Sequence, residues 1–128
     1  MSQDHGGKDI SLLAAADLSS YQYHFVKASA ANTVNLQSTD GGKTVGILQD
    51  KPEAASDPAL VRIGETSKVV AGAAFDVDAL LKANTSGHAI VADTAGDWVG
   101  AQALEASSES GDIVEVIIRG FTIHASDS

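Results

Sequence analysis

Phe25-Val26-Lys27-Ala28-Ser29 has a counterpart in Leu80-Leu81-Lys82-Ala83-Asn84, and the rest of the chain can be aligned outward from this pair. Thr33-Val34-Asn35-Leu36 matches Ala89-Ile90-Val91-Ala92, and Val45-Gly46 matches Val99-Gly100. Glu53-Ala54-Ala55-Ser56 matches Glu105-Ala106-Ser107-Ser108, and the stretch from Ala59 to Gly64 matches that from Ile113 to Gly120. Val, Ala and Gly are common here, so chance similarity competes with duplication, but the blocks keep one order. Each half is a β unit too small to bury a core by itself. The expectation is a mainly β, small single-domain β-barrel built from two similar halves, with pseudo-repeats over about residues 25–72 and 80–126.

Periodicity supports strands. Tyr21, Tyr23 and Phe25 alternate with Gln22, His24 and Val26, as in a half-buried strand, so the aromatics are expected in the core and His24 on the polar face. Further strands are expected at Thr33 to Gln37, Thr44 to Gln49, Leu60 to Ile63, Lys68 to Ala71, His88 to Ala92 and Trp98 to Ala106. Gly46 and Gly100 interrupt their strands at matching places, as glycines do at bends where no side chain fits. Asp76-Val77-Asp78-Ala79-Leu80-Leu81 has helical spacing, yet its match to the first half argues for a turn leading into a strand at Leu80. In the last strand Val114, Val116 and Ile118 face the core, and the apolar face switches to Phe121 and Ile123 after Gly120, which implies a bulge there.

Residues 1–20 read as an extended N-terminal arm before a barrel domain of residues 21–126. Ser11 could cap a short helix, but an extended segment with an apolar anchor at Ile10-Ser11-Leu12-Leu13 is the better reading. The polar start is unlike a signal peptide, and no apolar run approaches a membrane span, so cytoplasmic synthesis is expected.

Several functions find no support. The net charge is −9, and residues 73–128 carry nine acids against Lys82 and Arg119, so clustered cations for nucleic acid are lacking. There is no cysteine for a disulfide or thiolate site. His5, His24, His88 and His124 have no metal-ligand spacing, and Asp76-Val77-Asp78 lacks the glycine and distal glutamate of a calcium loop. Ser107-Ser108-Glu109-Ser110 falls in no nucleophile motif. No catalytic, cofactor-binding or metal residue is assigned, and the protein is expected not to be an enzyme.

The run Ala16-Asp17-Leu18-Ser19-Ser20-Tyr21-Gln22-Tyr23-His24-Phe25-Val26-Lys27 resembles the start of tailed-phage capsid decoration proteins, also called head-stabilising or cement proteins. Val45 to Pro52, Ser67 to Gly72, Ala103 to Ala106 and the closing Gly111-Asp112 with its β-branched run resemble the same family, in order, over about residues 16–120. Phe75 to Ala79 departs from the smaller glycine-containing turn usual there. The resemblance implies a β-tulip-like barrel on the capsid exterior of a virion, with the major capsid protein and itself as partners, as a homotrimer without cofactor. On this reading Asp9, Ile10, Ser11, Leu12 and Leu13 are the expected capsid-binding residues. A small-molecule or carbohydrate-binding barrel, or a fibre component, is the alternative, with Asp97-Trp98 at a loop edge as its candidate.

Overall fold

In the computed structural model, which describes residues 8–123, the alternating apolar segments form ten strands and no helix among the described residues. The first five are β1 (Lys8–Ala14), β2 (Phe25–Ala30), β3 (Thr33–Leu36), β4 (Gly46–Leu48) and β5 (Pro58–Gly64). They close into a barrel in the order β1-β3-β2-β4-β5. The next five are β6 (Thr66–Val70), β7 (Leu80–Ala83), β8 (Ala89–Val91), β9 (Trp98–Ala103) and β10 (Ile113–Thr122), in the order β6-β10-β9-β7-β8.

The two sheets repeat one topology. The shift that carries Phe25 to Leu80 takes the pair Phe25↔Ile47 onto Leu80↔Gln102 and Val26↔Leu36 onto Leu81↔Val91. It also takes Ile47↔Arg62 onto Gln102↔Ile117. β1 corresponds to β6 with a slightly longer shift, and Leu13↔Thr33 and Ala14↔Val34 of the first unit are matched by a single parallel bridge, Ala71↔Ala89. The first unit is thus fully closed, and the second is closed through one bridge.

Burial obeys the same rule. One cluster holds Ala14, Leu18, Val26, Val34, Leu48, Ala59 and Val61. Their counterparts Ala71, Phe75, Leu81, Ala89, Ala103, Val114 and Val116 all lie in the second cluster. Phe25 and Ile47, which alternate with these inward residues on β2 and β4, point away from the first interior and join the second unit's cluster. Their removal from water is what glues the units together.

Sequence matching and the hydrogen-bond ladder agree on the strands and differ by one residue in places. The ladder aligns Val34 with Ala89 and Gly46 with Ala101, so Gly100 is not the counterpart of Gly46. A Cβ on Gly46 would lie 2.2 Å from the Arg62 carbonyl oxygen on β5. One on Gly100 would lie 2.7 Å from the Phe25 ring, on the face where the units meet. Two glycines that look alike in sequence serve different contacts.

Three further expectations change. Residues 8–14 are not an arm ahead of the barrel: β1 pairs with β5 along its length and with β3 at its end, because its apolar residues complete the first interior. Tyr21 to His24 is a turn, with Tyr23 at φ 66°, so the first aromatic strand begins only at Phe25. The Tyr23 amide donates to the Leu48 carbonyl, as Asp78 (φ 72°) donates to Ala103, so this strained turn is a repeated element of the fold. His24 is buried rather than on a polar face. The strand at Leu80 forms as expected, and the bulge near Gly120 appears as a register shift between Ile118 and Phe121.

Candidate functional site

The five expected capsid-binding residues divide by strand alternation. Leu12, opposite Ala59, packs against the barrel interior, Ile10, opposite Val61, is 37% exposed, and Asp9, Ser11 and Leu13 alternate to the outer side. Asp9 is held by Arg62, whose Nη2 donates to its Oδ2 at 3.2 Å and whose Nε binds the other carboxylate oxygen. Leu13 (43% exposed) lies opposite exposed Pro58, and Leu60 (38% exposed) lies opposite Ser11. β1 and β5 therefore present an apolar outer face that sequence reading assigned to the arm alone. Leu60 could have been found from the alternation of Ala59 and Val61 around it.

The second unit has a counterpart. Ile113 pairs with Val70 where Pro58 pairs with Leu13, and Ile113 is 54% exposed. Leu104, also exposed, donates its amide to the Glu115 carbonyl one step along β10. Each unit thus carries exposed apolar side chains on its outer strands.

The seam between the units is polar at both ends. At one end Lys82 on β7 inserts its ammonium between Asp40 and Asp97, at 2.7 and 3.1 Å. The hydrogen bond to Asp40 holds the Lys82 ammonium above its ordinary range, against the opposing effect of burial. Gly41, at φ 72°, donates its amide to the Ala83 carbonyl and accepts the Trp98 amide, so the Asp40-Gly41 turn of the first unit is locked into the second. Sequence matching singled out Lys82 as a repeat residue without its ion pairs, because both acids come from distant turns.

Elsewhere on the seam the His24 and His88 rings meet edge to face at 4.6 Å, with Tyr21 against His24. Burial pushes both imidazoles below their ordinary range, so the neutral form is favoured. His24 Nδ1 is 3.1 Å from the Gln22 carbonyl oxygen, which fits an N–H at that nitrogen. A cleft of about 280 Å³ lies between the units, lined by Tyr23, Gln49, Arg62, Ser67, Lys68 and Glu115. His5 and His124 lie outside the described residues.

Among the described residues, no three His, Cys, Asp or Glu side chains converge as a metal site would require. Trp98, the candidate for stacking a sugar, has the Lys43 ammonium 5.3 Å from its ring centroid and Gly120 packed near its edge. One ring face is therefore occupied by a cation of the same chain. What the molecule offers is contact surface: apolar outer strands on two units that share a packed seam.

No family model matches the sequence, and no curated protein matches it. Among solved structures, the chain is similar to the N base of the head fiber protein gp8.5 of bacteriophage phi29. The TM-score is 0.68 at 14% sequence identity, over 88% of this chain and 93% of that one. At that identity the likeness is one of fold, and it extends over both units.

Proposed function

We propose that the protein is a structural component of a phage head, which decorates the outside of the mature shell and bridges neighbouring major capsid protein subunits. The fold it shares with a head-fibre base over nearly its whole length is the observation that carries this reading. The sequence resemblance to decoration proteins points to the same part of the virion and supplies the trimer as the form in which it binds. The mechanism is mechanical rather than catalytic. Two units with exposed apolar strands, joined by a buried seam, can bury surface on two neighbours at once. Leu13, Leu60 and Ile113 are 43%, 38% and 54% exposed, so covering what remains contributes about 0.5–1.5 kcal/mol each, before the costs of association. Summed over a trimer, modest contacts give slow release.

Co-sedimentation with purified mature heads and with compact precursor shells tests the reading. Binding to mature heads alone is expected, and Leu60→Glu should abolish it while leaving the melting temperature nearly unchanged. Equal binding to both shells, or to neither, refutes decoration. A second reading, the base of a head fibre, is favoured by the structural neighbour, itself the N base of a head fiber protein. Sparse occupancy at a few positions per head, instead of dense coverage, would select it.

A further inference from the structure

Lys27 and Lys82 occupy the same place in the two units, but among the described residues only Lys82 has carboxylate partners. Its acids are Asp97, from its own unit, and Asp40, from the turn that the first unit inserts. The counterpart of Asp97 in the first unit is Gly42: the Gly42 amide bonds to Thr39 as the Asp97 amide bonds to Thr94. No unit precedes β1 among the described residues to supply the equivalent of Asp40. The result is an open groove of about 380 Å³, lined by Lys27, Ala28, Gln37, Lys43 and Val45.

These residues are the counterparts of the ones that hold the Asp40-Gly41 turn. Ala28 stands where Ala83 accepts the Gly41 amide, and Lys43 stands where Trp98 donates to the Gly41 carbonyl. Among the described residues, the Lys43 amide has no hydrogen-bond partner and Lys27 makes no ion pair. We propose that this groove is a docking site for an aspartate-glycine turn of a partner protein, bound as the chain's own Asp40-Gly41 turn is bound by the second unit. The carboxylate meets Lys27, the turn's amide donates to the Ala28 carbonyl, and its carbonyl accepts the Lys43 amide.

Charge complementarity favours an acidic occupant: in a chain of net charge −9 the groove is lined by two lysines with no carboxylate partner among the described residues, Lys43 having its ammonium over the Trp98 ring. A second copy fits less well. Among its described residues the Asp40 turn is already engaged, and the matching turn of the second unit, Thr94-Ala95-Gly96-Asp97, has alanine where the carboxylate is required. The proposal rests on the chain's internal repeat and is independent of where the protein resides on a virion.

The test uses the full chain and a cyclic peptide of the sequence Ser-Thr-Asp-Gly-Gly-Lys, that of residues 38–43. Binding is followed by amide NMR shifts at Ala28 and Lys43 and by fluorescence of Trp98, the chain's only tryptophan, which Lys43 overlies. Saturable changes are expected in the native chain. Lys27→Gln, at a partly exposed position, should keep the melting temperature and weaken binding at least about ten-fold. A peptide with Asn for Asp should lose as much. Absence of shifts up to about 5 mM peptide, shifts outside the groove, or equal binding of the Asn peptide overturns the proposal. Sedimentation that shows self-association abolished by Lys27→Gln would place a second copy in the groove and overturn the assigned partner.

Discussion

Lys82 Nζ lies 2.7 Å from Asp40 Oδ1, and this contact joins a strand of the second unit to a turn of the first. The lysine side chain is only 10% exposed, and Asp97 closes its other side. The repeat thus has a direction: the first unit inserts its turn into the second, and its own equivalent groove stays open.

Lys82→Met removes the cation and leaves the mostly buried Asp97 carboxylate with the Thr94 amide as its remaining donor. Losing the cation from such a pair costs about 2–3 kcal/mol. Asp40→Asn should cost less than about 1 kcal/mol, because Asp40 is half-exposed and water can replace it. Urea unfolding of both variants measures the difference, and equal effects would show that the ammonium does not organise the seam.

The histidine pair makes stability depend on mild acid. Both imidazoles titrate below the ordinary value of 6.5 in the folded chain, so as pH falls through that value the unfolded state binds protons first. Stability is fully present above about pH 6.5 and declines as pH drops toward the folded values. Melting curves from pH 7.5 to 5.5 should show this decline, and His88→Gln should reduce its slope. Asp17 and Asp112, held below the ordinary carboxylate range by hydrogen bonds from Ser19 and Ser108 respectively, act only at lower pH.

Gly46 and Gly100 should respond differently to a methyl group. At Gly46 the added carbon meets backbone, the Arg62 carbonyl, which cannot give way. At Gly100 it meets the Phe25 ring and the Thr44 hydroxyl, both of which are side-chain groups. Gly46→Ala is expected to cost about 3 kcal/mol and Gly100→Ala about 1–2 kcal/mol. Phe25→Leu should lessen the additional cost of Gly100→Ala but not that of Gly46→Ala, as a double-mutant cycle by chemical denaturation would read.

Removing residues 1–13 deletes nearly all of β1. β5 and β3 then lose a shared neighbour, and the first interior loses Leu12. The melting temperature should fall by at least about 10 °C, or the cooperative transition should vanish. An unchanged melting curve would show that the barrel closes without β1.

The duplication and most strands from Phe25 onward were legible in the sequence, because period-two alternation and repeated blocks such as Val26-Lys27-Ala28 and Leu81-Lys82-Ala83 are local properties, whereas the turn at Tyr21 to His24 alternates like a strand and was not. The apolar anchor at Ile10 to Leu13 was legible too, but not its place. An isolated apolar strand and an apolar arm have the same pattern, and only pairing with β5 and β3 distinguishes them. The one-residue difference between Gly46 and Gly100 was hidden for a related reason. Register is set by hydrogen bonds between distant strands, and small apolar residues satisfy either register in sequence. By itself the sequence determined a duplicated β chain with an acidic second half and no recognisable catalytic motif. Tertiary structure alone decided that Lys82 is enclosed while Lys27 lines an open groove, because the carboxylates that distinguish them reach Lys82 from turns remote along the chain.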